Sequence, residues 1–340
     1  MNQRKRAIKL MAIIGCILTG AGVLLSGVGF AGMGFNLSAF TYPRGGMVQQ
    51  DTTCYTEIPK KIEVHTSLGN VTIVGDQEGL EGPKVDAATN AYQITMEQDT
   101  LVVSLLDSFS PENGKGGWKW YQLVKVGENG DYDVTISLPD SLLDSVYVEN
   151  DMGQVELSQL DADEVTVYAS NGNVDVENVT TSASLKIYPS MGQSLVENCS
   201  GGQLTVESSM GSSTVKDCEF QEGNVTNSSG DATLEDSHFS VLTVSNDMGT
   251  CSLSRVTAET STNCSTSMGD ITLANLHSPQ VTLSTDMGNV SGTLRGKQQD
   301  YQILVSTDMG DSNLKDQISE GPNRLEVTTG MGNIDLKFTE

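Results

Sequence analysis

A Met-Gly turn that returns about every 19 residues constrains this chain more than any other feature. The turn glycines are Gly153, Gly172, Gly192, Gly211, Gly230, Gly249, Gly269, Gly288, Gly310 and Gly332. Their spacings are 19, 20, 19, 19, 19, 20, 19, 22 and 22, and an isolated copy is centred on Gly69. Self-similarity at a fixed period of this length marks stacked units that share one continuous core. Each offset from the glycine has its own chemistry. Five residues before it stand Val64, Val148, Val167, Ile187, Val206, Val225, Val244, Cys264, Leu283, Val305 and Val327. All eleven are apolar where 37% of the chain is hydrophobic, a coincidence with a chance on the order of 10⁻⁵. Seven before the glycine only Gly223 and Thr262 break the pattern, and four after it only Gly292 does.

Residues two apart share one face of a strand, so each repeat reads as strand, Met-Gly turn, strand, second turn. Glycine supplies the positive φ that a β-branched residue holds only with strain. An antiparallel meander would pair unlike positions, whereas a β-solenoid stacks like on like about 4.8 Å apart. Columns of like residues are what the alignment contains. Met precedes the glycine as Met152, Met191, Met210, Met248, Met268, Met287, Met309 and Met331. Three before it run Asn150, Ser208, Asn227, Asn246, Thr266, Thr285, Thr307 and Thr329. The expected fold is an all-β β-solenoid of stacked two-strand repeats of 19–22 residues over 60–340, with an insertion at about 80–130.

Residues 10–35 carry no charge and follow a basic stretch, residues 1–9, containing Arg4, Lys5, Arg6 and Lys9. As a helix this run spans roughly 39 Å, enough to cross a bilayer core with tilt. The positive flank places the N-terminus in the cytoplasm. A single-pass membrane anchor at 10–35, a juxtamembrane linker at 36–59 and an extracytoplasmic repeat domain are therefore expected. A cleaved signal peptide and a lipoprotein box at Ile13-Ile14-Gly15-Cys16 are the competing readings. Five of the 19 basic residues precede position 50 and none of the 44 acidic residues does, leaving the remainder 14 against 44, a net of −30. Such a surface repels nucleic acid, which excludes that class of partner.

The run Asp131-Tyr-Asp-Val-Thr-Ile-Ser-Leu-Pro-Asp140, followed by Val146-Tyr-Val and by Gln154-Val-Glu-Leu after Gly153, resembles a bacterial β-strand-repeat family of unknown function labelled putative adhesin. The resemblance covers about residues 60–340. It implies a β-helical domain behind an N-terminal helical anchor, in some members encoded beside envelope-stress regulators, and no functional residues to carry over. The Met-rich turns depart from that pattern.

Candidate chemistry is sparse. Asp151, Asp247, Asp286 and Asp308 lie two before the glycine, and Asp231, Asp270 and Asp311 one after. Stacked carboxylates could chelate Ca²⁺, but Asp also simply suits turns; no cofactor is otherwise implied. Cys199 and Cys218, each seven after its glycine, fall at core positions of neighbouring coils, either as buried thiols or as a strained disulfide. Cys251 and Cys264 fall in the same array, and their disulfide state is likewise open. His65, His238 and His277 sit in no catalytic motif. The one local oddity is Lys115–Lys125, which holds both tryptophans of the chain. Trp118, Lys119, Trp120 and Tyr121 could form a cationic aromatic platform for an envelope glycan or protein, or could cap an open solenoid end. The expected function is a non-enzymatic, membrane-anchored surface protein, either adhesive or sensing. The alternatives are a carbohydrate-active β-helix enzyme and a Ca²⁺-stabilised structural spacer.

Overall fold

The computed structural model describes residues 50–106 and 132–339, which belong to one compact unit. The expected membrane span at 10–35 lies outside the described residues, and among those described no helix is long and apolar enough to cross a membrane. The described residues are all-β apart from a single 3-10 turn at Gln298–Asp300.

The array is a solenoid. Its strands in chain order include β8 (Leu142–Met152), β9 (Val155–Asn171), β10 (Val174–Met191), β11 (Ser194–Glu197), β12 (Ser200–Met210), β13 (Ser213–Lys216), β14 (Glu219–Ser229), β15 (Ala232–Glu235), β16 (His238–Met248), β17 (Cys251–Ser254), β18 (Thr257–Met268), β19 (Ile271–Leu276), β20 (Gln280–Met287) and β21 (Val290–Arg295). All ladders among these strands are parallel and join equal repeat positions: Ile187 on Val206, Val206 on Val225, Val225 on Val244, Val244 on Cys264. Residues before the glycine build one long-strand sheet, and residues after it a facing short-strand sheet. Ten of the eleven residues five before the glycine are fully buried; Val305, on an edge strand, is partly buried. The strict apolar column is therefore the wall of the core.

The turn needs glycine for two reasons. Gly211 sits at φ +144°, and a Cβ there would lie 1.7 Å from the Gly192 carbonyl oxygen of the neighbouring coil. The coils approach through backbone, and no side chain fits between them. Those stacked carbonyls are then satisfied from the column three before the glycine. Asn246 Nδ2 donates to the Gly230 oxygen at 3.0 Å, Thr266 Oγ1 to Gly249 at 3.2 Å, Thr285 Oγ1 to Gly269 at 3.0 Å and Thr329 Oγ1 to Gly288 at 3.0 Å. This small polar column faces inward. Ser208, a member of it, is 4% exposed.

The coil is more than the two-strand repeat expected from periodicity. Six residues after the glycine, Gln159, Asn178, Asn198, Asp217, Asp236, Arg255 and Asn275 all take left-handed φ values between 48° and 59°. Asn and Asp tolerate this conformation because their short side chains bond locally. A third, two-residue run follows that corner: Thr180–Thr181 pairs with Ser200–Gly201, then Glu219–Phe220, then His238–Phe239. Its inward residues Thr181, Phe220, Phe239 and Ala258 are buried.

Both ends abandon chain order. At the N-terminal end β2 (Lys61–Thr66) lies between β6 (Thr100–Leu105) and β8, and β3 (Val71–Val74) between β7 (Val134–Ser137) and β9. Antiparallel pairs finish the sheets there, joining β1 (Gln50–Cys54) with β4 (Lys84–Ala88), β4 with β7, and β5 (Tyr92–Glu97) with β6. At the C-terminal end β23 (Asn323–Met331) inserts between β20 and β22 (Tyr301–Met309), while β24 (Ile334–Thr339) extends the short-strand sheet from β21.

Candidate binding surface

Trp118, Lys119, Trp120 and Tyr121 lie outside the described residues, in the segment 107–131 that links β6 to β7 in sequence. The other candidates are placed. Turn acids one after the glycine bind the next coil: Asp231 Oδ1 accepts the Thr250 amide at 2.8 Å, and Asp270 Oδ1 the Asn289 amide at 2.7 Å. Asn70, Asn173, Asn289 and Asn333 do the same with their side-chain oxygens. These positions form an amide-and-carboxylate ladder along the turns. Among the described residues no three His, Cys, Asp or Glu side chains are grouped to hold a metal.

Cys199, Cys218, Cys251 and Cys264 are buried free thiols. Hydrogen bonding to Cys218 and then burial push the Cys199 thiol up, and Cys251 and burial do the same to Cys264. These groups pack as small hydrophobes. His65 and His238 are half-exposed and lie 3.1 Å from Glu149 and 3.2 Å from Glu259.

A different feature stands on the outer face of the long-strand sheet. His65, Tyr147, Tyr168 and Tyr188 form a continuous row of rings, with centroids 5.4, 5.8 and 4.8 Å apart, and the last pair is stacked at 13°. Tyr168 is 43% exposed. Burial against neighbours, then the Glu149 carboxylate, holds the Tyr147 phenol above its ordinary range. Burial, then Glu207, does the same for Tyr188. Both stay neutral hydrogen-bonding groups near pH 7. In the repeat alignment His65, Tyr168 and Tyr188 share the position four before the glycine, but Glu149 and Glu207 occupy it in the coils between and beyond, and Tyr147 lies six before its own glycine.

Beyond Tyr188 and Glu207 two columns of the same face are uncharged, bordered by the exposed acids Glu222, Asp247 and Asp286 and closed at the last level by Glu326. One column runs Thr205, Asn224, Thr243, Asn263 and Thr282, and the neighbouring one Thr226, Ser245, Ser265 and Ser284, all in parallel register. Most of these side chains reach solvent. They form a lattice of hydroxyl and amide groups repeating about 4.8 Å along the stack and about 7 Å across it.

A family profile described as Toastrack DUF4097 matches residues 60–337, most of the chain and nearly all of the described repeat domain. The chain belongs to the Toastrack DUF4097 family. A search of curated proteins gives no match for this Toastrack chain. Among solved structures it is similar to a putative adhesin from Bacteroides fragilis, at 14% identity and a TM-score of 0.40, covering 85% of this chain and 97% of the other. A putative lipid binding protein from Parabacteroides distasonis aligns at 12% identity and TM-score 0.48, covering 86% and 98%. A putative adhesin from Parabacteroides merdae aligns at 13% identity and TM-score 0.37, covering 86% and 97%.

Proposed function

We propose that this Toastrack protein is a membrane-anchored, extracytoplasmic, non-enzymatic binding module that adheres to a repeating uncharged glycan of the cell envelope. One observation carries the reading: a row of solvent-reaching rings running into two uncharged columns of hydroxyl and amide groups, within a chain of net charge −25. An acidic surface disfavours anionic ligands. A flat lattice of donors and acceptors suits a polymer that repeats its own hydroxyls, and aromatic rings add apolar contact with sugar faces. The acidic turn residues Asp231 and Asp270 are occupied with neighbouring amides, which supports binding over acid–base chemistry. Residues 10–35 supply the anchor in this reading, and Trp118, Lys119, Trp120 and Tyr121 a second contact.

The test is cosedimentation of the full chain with purified envelope glycan. Tyr168→Ala with Tyr188→Ala should weaken binding about tenfold or more, as should Thr243→Asp with Ser245→Asp, while the repeat domain still melts cooperatively. Glycan binding unchanged by both pairs would leave the face as a purely structural ladder. Protease added to intact cells should remove residues beyond about 40; protection of the array would refute the topology.

A further inference from the structure

The methionine column is used by neither the fold nor the face described above. Met248, Met268, Met287, Met331 and Met309 occupy five successive levels of the turn edge, joined in register. Each side chain is 42–62% exposed. The turn does not demand methionine, since Leu68, Asn171 and Ser229 fill the same place in other coils. Packing does not demand it either, because these side chains point to solvent. Exposed apolar residues normally occur singly on a surface, yet here five thioethers stand in one uninterrupted row.

The levels are about 4.8 Å apart, and methionine turns about three side-chain bonds. Two or three sulfurs of adjacent levels can therefore converge on one ion. A thioether is a neutral, polarisable donor that favours Cu(I) over the hard cations that carboxylates bind. Asp247, Asp286 and Asp308, exposed immediately before Met248, Met287 and Met309, supply negative field without competing as soft ligands. The buried cysteines stand apart, being at most 3% exposed. We propose that the Met248–Met268–Met287–Met331–Met309 column binds a soft monovalent metal ion, Cu(I) or its analogue Ag(I), through two or three thioether sulfurs. The site is independent of the glycan reading.

The experiment uses the full chain in detergent with accessible thiols, including exposed Cys54, blocked by N-ethylmaleimide. Ag(I) is titrated calorimetrically, and Cu(I) by competition with a chromogenic chelator. Saturable binding is expected, weakened at least tenfold in Met268→Leu/Met287→Leu/Met331→Leu. Leucine conserves volume, so the melting temperature should hold. Methyl spectra of 13C-methionine-labelled wild type locate the ion without any substitution: the five column methyls should shift on adding Ag(I). Absence of saturable binding in the thiol-blocked protein would overturn the proposal. So would undiminished binding by a folded triple variant, or shifts confined to methionines outside the column.

Discussion

The middle of the array and its two ends solve different problems with one repeat. From Gly153 to Gly288 chain order and ladder order coincide, and each level pairs with the next at equal repeat positions apart from local bulges. At both ends of the long-strand sheet the outermost strand is not the terminal one. β2 is enclosed by the later β6, and β22 is pushed outward by the later β23. A regular coil satisfies its backbone by stacking, but a solenoid end exposes a row of unpaired groups. Tucking a terminal strand one level inward makes the last coil depend on a segment distant in sequence. The end then cannot peel away one coil at a time. Local contacts hold the middle, and non-local closure holds the ends.

Removing the closing segment gives the largest expected effect. Deleting residues 323–340 takes away β23 and β24 and leaves β22 without its ladder partner. Amide hydrogen exchange should lose protection from β20 through β22, while β12, β14 and β16 keep theirs. Equal loss in the central strands would mean the array unfolds as one unit, and the contrast between middle and end would fail.

The same repeat position tested in both regions sharpens the comparison. Val206 and Val305 both lie five before their glycine, but Val206 is fully buried and Val305 only partly. Val206→Asp buries an unpaired carboxylate at a cost of several kcal/mol. Val305→Asp can turn its charge to water and should cost far less. Equal falls in melting temperature would show that the edge strand is as enclosed as the middle. Glu207→Gln, on the exposed face of the same strand as Val206, is the mild control.

A smaller effect of opposite sign is expected at Thr262. It breaks the apolar column seven before the glycine, lying between Leu242 and Val281 in the ladder. It is 1% exposed, and its hydroxyl has no hydrogen-bond partner. Thr262→Val removes the orphaned group at equal shape, and should raise stability by about 1 kcal/mol. A fall in denaturant midpoint would show that the hydroxyl is satisfied in solution.

Much of this was legible because a solenoid repeats its physics. The eleven apolar residues five before the glycine were readable as a core wall, and the Met and Asn/Thr columns as parallel stacking. The left-handed corner was also written, in Asn178, Asn198, Asp217, Asp236 and Asn275, but Gln159 and Arg255 blur its composition. Inward burial of Ser208 followed from strand alternation, yet polarity suggested otherwise; its column exists to satisfy glycine carbonyls of the stacked turns. The exchanged ends left two traces, the isolated turn at Gly69 before the insertion and the lengthening of the glycine spacing from 19 to 22 near the C-terminal end. Strand order there depends on which distant segment fills a slot, and no local pattern encodes that. The aromatic row was harder to read, because Glu149 interrupts the column that His65, Tyr168 and Tyr188 share and Tyr147 joins it from another offset.

The smallest predicted effect separates backbone preference from charge at the second corner. Arg255 holds the left-handed conformation at φ 53° and pairs bidentately with Asp236 of the preceding coil, at 2.5 and 2.6 Å. Its guanidinium keeps the Asp236 carboxyl below the usual carboxylate range. A depressed acid stabilises the fold above its unfolded pKa, and that contribution is lost as pH falls through the lower folded value. Arg255→Asn places a residue better suited to positive φ at the corner but removes the exposed ion pair. At pH 7 the two changes oppose each other, and the melting temperature should barely move. As pH falls from the ordinary carboxylate range of about 4 through the lower folded value, Asp236 takes up its proton and only the backbone gain remains. The difference in melting temperature, variant minus wild type, should therefore become more positive as pH falls. Added salt at pH 7 should move it the same way by screening the pair. A difference independent of both pH and salt would show that the pair contributes nothing and that corner conformation alone sets the balance.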